Sequence, residues 1–187
     1  SVCGKGAYLR TAMTFDLDRS MEILERTPAV LDKLLRGLPD HWSRANEGAG
    51  TWSAYDVVGH LIHGEHTDWM ERLHKCLSED AEAKKFRPFD RTAMFTESVG
   101  KSLEDLLDEF ALLRLKNLEA LRRAGLRAAD LDRTGVHPVF GTVTVRQLLS
   151  TWVAHDMDHL QQIARVMAKQ YKEEVGPWKE YLRIMKE

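Results

Sequence analysis

Apolar positions recur along this chain at the three-to-four-residue spacing of helices, and short polar segments separate the runs. Leu17, Met21, Leu24, Leu31 and Leu35 mark one side of a first helix over about 17–36. Pro28 falls inside that run and predicts a kink, and Gly37 with Pro39 ends it. Residues 46–50 read as a loop. The second helix has a sharper start: Ser53 and Asp56 resemble a capping box, and Trp52 and Val57 take the staple positions around it. It is predicted to run to about Leu77. Residues 78–97 are charged and irregular, and Pro88 breaks any helix there. A third helix starts near Ser102, with Asp105 three residues on, and runs to about Ala124. Leu103, Leu106, Leu107, Phe110, Leu113 and Leu121 form its apolar side, and Gly125 ends it. Thr144 with Gln147, stapled by Val143 and Leu148, opens a fourth helix running to about Gln170. A last short helix follows Gly176 and Pro177. No sustained alternation marks a strand, and no repeat of 20–50 residues is present. The pattern predicts an all-α fold, a bundle of four long helices with a short C-terminal one.

Composition narrows the function classes. A chain of 187 residues with 43% hydrophobic and 30% charged side chains is ordinary globular usage. At this length about two thirds of the unfolded surface can be buried, so folding needs neither disulfide nor structural metal. The balance of 27 Lys+Arg against 29 Asp+Glu leaves −2, which gives no footprint for nucleic acid. No apolar run has the length of a membrane span, and no apolar segment follows a basic start as in a secretion signal. The two cysteines, Cys3 and Cys76, are far apart and in no metal-binding spacing, which points to a reducing cytoplasm. Residues 1–12 lack periodicity and read as an extension, with Met13 as the expected start of a single domain over 13–187.

The eight histidines are the candidate chemistry. His155 and His159 are four apart, so both project from one side of the fourth helix, at the margin of an apolar arc formed by Leu148, Trp152 and Ile163. Two imidazoles so spaced can share a metal, and two buried histidines can equally be satisfied by carboxylates and carbonyls. On the second helix His60 is embedded in an apolar run, Val57 to Ile62, and is the inward candidate for a third ligand. His63 is the fallback. His66, His74 and His41 read as surface residues. His137 reads as a solvated loop residue, the alternative being that 137–142 lines the site mouth. Asp156 falls in the middle of the apolar arc, where a lone carboxylate is costly. It is expected to pair with a histidine N–H or a cation, as a structural contact, as support for a ligand, or in a direct catalytic role. Glu65 is a possible general base by type but reads as solvated. Trp69, Trp152 and Trp178 read as core or packing residues, the alternative being that one of them walls the pocket. Cys76 lies roughly 24 Å along the helix from His60, at 1.5 Å per residue, too far to join such a site.

The ordered set Trp52-Ser53-(x)6-His60-Leu61, His137-Pro138-(x)2-Gly141-(x)2-Thr144-(x)3-Leu148-Leu149 and His155-Asp156-(x)2-His159-(x)2-Gln162-Ile163 resembles the DinB-like (YfiT-like) family. With Val175-Gly176-Pro177-Trp178 the resemblance spans about residues 15–185. It implies an up-up-down-down four-helix bundle, a homodimer, and one divalent ion, nickel or zinc, held by His60, His155 and His159. It further implies a small-molecule substrate, since members with known activity include S-transferases that use low-molecular-weight thiols.

Three neutral imidazoles would leave positions open for water or substrate, unlike a closed structural zinc site. The leading expectation is a metal-dependent enzyme, thiol-transferase-like, with a metal-dependent hydrolase or a non-catalytic, stress-related metal-binding bundle as alternatives. A di-iron carboxylate bundle needs two E-x-x-H motifs, and Glu71-(x)2-His74 supplies one.

Overall fold

A computed structural model describes residues 14–186. The expectations for 1–12, Cys3 and Met13 lie outside the described residues. The first leg of the bundle is α1 (Leu17–Leu24) and α2 (Thr27–Leu35), followed by a single turn, α3 (Asp40–Ser43). The second leg is α4 (Ala54–Thr67) and α5 (Trp69–Leu77). A crossover carrying the short α6 (Met94–Glu97) leads to α7 (Leu103–Arg123), and α8 (Val145–Lys169) is the fourth leg.

The helix starts are chemically determined. At α4 the Ser53 Oγ accepts from the Asp56 N–H at 3.2 Å while the Asp56 carboxylate accepts from the Ser53 N–H at 2.9 Å. The same reciprocal box opens α7 at Ser102 and Asp105, and α8 at Thr144 and Gln147. Each satisfies two backbone donors that would otherwise be orphaned.

Pro28 does not kink one long helix. It occupies the first turn of α2, where its missing N–H costs nothing, and the break lies just ahead of it. The second leg is also broken, at Asp68. There Thr67 donates its hydroxyl back to the His63 carbonyl at 2.8 Å, a contact that bends helices. The C-terminal helix is a 3₁₀ turn, Gly176–Glu180, and Trp178 on it is 69% exposed rather than packed.

Two antiparallel strands, β1 (Thr134–His137) and β2 (Gly141–Thr144), precede α8, with Thr134 opposite Thr144 and His137 opposite Gly141. Four residues each are too few to show an alternating pattern. Gly141 takes φ 72°, a conformation that disfavours side chains.

The core has two layers stacked along the bundle. One holds Leu31, Leu35, Val58, Leu61, Leu107, Phe110, Ile163 and Val166; the other holds Met21, Leu24, Leu73, Cys76, Leu118, Leu121, Leu149 and Trp152. The first and fourth legs run from the second layer to the first, and the second and third run the opposite way. The directions in chain order are therefore up, down, down, up, which corrects the up-up-down-down order while leaving the four-helix bundle intact. The reason is the crossover over 78–102. It returns the chain along the bundle so that α7 lies parallel to α4, while the other connections join neighbouring ends. Gly59 lets this crossover close on α4: a Cβ there would meet Ser98 Oγ at 2.4 Å.

Candidate metal centre

His60 comes from the middle of α4, and His155 and His159 from successive turns of α8. Their Nε2 atoms converge, at 3.3 Å from His60 to His155 and 3.0 Å from His159 to His155. One ligand atom from each residue lies within 4.8 Å of the others. A tetrahedral centre with bonds of ~2.0–2.1 Å sets its ligand nitrogens ~3.3 Å apart, so two of the three separations already match.

Burial keeps the three imidazoles deprotonated. Burial pushes the His60 imidazole down to about 3, with smaller contributions from His159, Arg91 and His63. Burial, with smaller contributions from His159, His60, Arg114 and Arg91, pushes His155 down to about 2, and burial also lowers His159. All three rings are thus neutral ligands at ordinary pH. Only His159 has its second nitrogen held: its Nδ1–H donates to Gln162 Oε1 at 2.8 Å in the tautomer that leaves Nε2 as the acceptor facing the centre. The Nδ1 atoms of His60 and His155 are buried with no hydrogen-bond partner among the described residues.

Aromatic rings wall the centre. Trp52 lies 4.8 Å from His60 and stacks near-parallel with His159 at 6.3 Å. Trp69 meets His155 edge-on at 5.1 Å and stacks on Trp152 at 5.4 Å. Phe89, from the crossover, packs edge-on to His60 at 5.3 Å and against His63 at 4.9 Å. His63 itself is not part of the cluster. It pairs with Glu97 at 2.9 Å and ties α6 to α4. The mouth opens into a cleft of about 660 Å³ lined by Trp52, Arg91, Asp158, His159, Gln162 and Arg165 among others.

Asp156 does not pair with an imidazole. It is fully buried, accepts from Arg114 Nη1 at 2.6 Å and Nη2 at 2.9 Å, and accepts from the Thr27 hydroxyl at 2.6 Å. Glu65 is not solvated either. It is 4% exposed and accepts from Arg114 Nε, Arg114 Nη2 and the Trp152 indole N–H. Asn117 donates to its other oxygen at 2.9 Å. Burial pushes the Glu65 carboxyl up, against the pull of Arg114. One guanidinium thus binds the second, third and fourth legs together directly beneath the histidines. Sequence reasoning missed Arg114 because a lone arginine among leucines on α7 reads as a surface residue. The signal was Asp156 itself, whose buried position demanded a cation.

The remaining histidines are peripheral. His66 and His74 are exposed, as is His41. His137 lies in β1 with its ring stacked on Phe140 at 4.5 Å and near Phe86, in contacts that do not include the cluster. Cys76 is a free, buried thiol beneath Gly135 and Phe86, and burial pushes it up to about 11. Among the described residues no helix is long and apolar enough to cross a membrane.

The four-helix bundle brings together three imidazoles from two of its legs, a group that could hold a metal ion. The sequence profile of the DinB superfamily matches residues 23–163, and the chain belongs to that superfamily. No curated protein matches it. Among solved structures it is similar to YfiT from Bacillus subtilis, described as a probable metal-dependent hydrolase with an unusual four-helix bundle topology. The TM-score is 0.71 at 21% identity, over 86% of this chain and 91% of that one.

Proposed function

We propose that this chain is a metal-dependent enzyme acting on a small molecule. One divalent ion, nickel or zinc, would be held by the Nε2 atoms of His60, His155 and His159. The observation that carries the proposal is the convergence of those three neutral nitrogens at a cleft. A divalent ion with three imidazole ligands keeps positions open and lowers the pKa of a thiol or water placed there. The chain's residues do the rest: Gln162 orients His159, while Trp52, Trp69 and Phe89 keep bulk water off the ligands.

The attacking group comes from outside the chain. Among the described residues neither serine nor cysteine lines the cleft, and the Cys76 thiol is buried in the other core layer with a raised pKa. We assign that role to a low-molecular-weight thiol, so the reaction is an S-transfer. Water is the alternative, and the likeness to a probable metal-dependent hydrolase supports that second reading.

The test is metal analysis of tag-free protein followed by cobalt substitution. About one ion per chain is expected, lost in His60→Ala, His155→Ala and His159→Ala while helical circular dichroism persists. Thiols titrated into the cobalt form should give a thiolate-to-metal charge-transfer band. Tight metal binding with no band and no transfer to electrophiles would shift the assignment to hydrolysis or to a bundle without turnover.

The proposal extends to a homodimer in the cytoplasm. Its support is apolar surface on the paired first and third legs, where Val30, Leu34, Leu112 and Leu115 are exposed, and the free thiol of Cys76. Light scattering should give twice the 21.4 kDa chain mass, and a monomer at micromolar concentration would contradict it.

A further inference from the structure

The crossover places a cation at the mouth of the histidine cluster. Arg91 is exposed and makes no ion pair or hydrogen bond with the described residues. It lines the same cleft as Trp52, His159 and Gln162. The other arginine of that cleft is already neutralised, since Glu47 accepts two hydrogen bonds from Arg165, each at 2.9 Å. Asp90, beside Arg91 in the chain, is committed elsewhere: its carboxylate accepts from the Thr92 N–H and hydroxyl, both at 2.8 Å. That turn fixes the backbone carrying Arg91, and Phe89 two residues earlier is anchored on His60 and His63. An arginine that lines one cleft with His159 and is not committed to any carboxylate of the described residues is placed to receive a ligand's anion.

We infer that Arg91 is a specificity residue that binds the carboxylate of the substrate or thiol while the reacting end of that molecule lies at the histidine cluster. The inference rests on the proposed function and adds the substrate class, an organic anion. The geometry gives such a molecule three contacts. His159 faces its reacting end, Trp52 offers an apolar face for its middle, and the guanidinium offers a two-pronged donor for its carboxylate. Asp158 faces the same cleft from α8 and repels a second negative charge near the ligand nitrogens, which favours the carboxylate lying on the crossover side.

The test uses 3-phenylpropionate and its neutral analogue 3-phenylpropanol as probes. Both are titrated into wild-type, Arg91→Gln and Arg91→Lys protein. Cobalt content and the visible cobalt spectrum are read alongside Trp fluorescence, which follows binding with or without metal. A charge-assisted bond in a cleft open to water is worth about a ten-fold preference for the carboxylate. The wild type should show that preference, Arg91→Gln should lose it with cobalt content unchanged, and Arg91→Lys should keep much of it. Asp158→Asn should strengthen carboxylate binding. A preference that persists in Arg91→Gln would mean the carboxylate goes to the metal, and would overturn the assignment. Equal binding of both probes by the wild type would also overturn it. Failure of the wild type to take up cobalt sinks the metal reading separately, because the fluorescence titration still measures the Arg91 contribution in the metal-free chain.

Discussion

At the residue scale the site depends on which nitrogen of each imidazole is free. Gln162 settles this for His159 alone, so it is the contact whose loss should be felt at the centre without removing a ligand. Gln162→Ala is expected to weaken metal affinity about ten-fold, measured by competition with a chromogenic chelator, with the fold unchanged. The neutral state of the three rings has a second consequence. Their folded-state pKa values are depressed, so below pH 6.5 the unfolded chain takes up protons that the folded chain refuses. Stability of the metal-free protein therefore falls as pH drops, by at most about 1.4 kcal/mol per unit for each ring. Asp68 acts in the opposite sense: burial pushes its carboxyl up to about 6, so the folded state gains a proton there before the unfolded state does. Glu65, whose carboxyl burial also pushes up, acts in the same sense as Asp68, and three rings against two carboxyls leave the net slope positive. The urea midpoint of chelator-treated protein should be lower at pH 5 than at pH 7, and His155→Gln should flatten the difference. A midpoint independent of pH would contradict the buried, neutral assignment.

At the element scale the decisive contact is Arg114. Its guanidinium on α7 is 1% exposed and holds Glu65 of α4 and Asp156 of α8. It also donates to the Leu24 carbonyl at the end of α1. All four legs therefore meet at one side chain. Arg114→Met would leave two carboxylates facing each other in a dry interior, and should cost about 3–5 kcal/mol in chemical denaturation. Replacing the set together, with Glu65→Gln and Asp156→Asn, should recover part of that loss, because the unpaired charges are then gone. No recovery in the triple variant would show that the arginine acts through its packing instead. The crossover belongs to this scale too. It looked like featureless loop because its packing residues, Phe86, Phe89 and Met94, are spaced irregularly. Phe89 and Met94 pack on α4 and Phe86 against the hairpin, an arrangement no single period can encode.

At the scale of the whole molecule the metal and the fold are separable. The two apolar core layers are built from residues other than the three histidines, so removal of metal should leave helical dichroism near its starting value. Added zinc should still raise the unfolding temperature, since the three ligands come from α4 and α8 and meet only in the folded state. At a thousand-fold excess over Kd the gain is about 4 kcal/mol. Loss of helix on chelation would make the ion structural.

The amino-acid sequence by itself determined the four legs, because amphipathic spacing and the three capping boxes are local and act within a few residues. It also determined that His155 and His159 share a face, since four residues make about one turn. Only the tertiary structure decided that His60 completes the set while His63 turns to Glu97. It likewise decided that Asp156 and Glu65 share Arg114, that α7 runs parallel to α4, and that Arg91 arrives at the cleft mouth. These contacts join residues tens of positions apart. They depend on which faces of separate helices are pressed together and on where a crossover lands, and short-range periodicity carries no information about either.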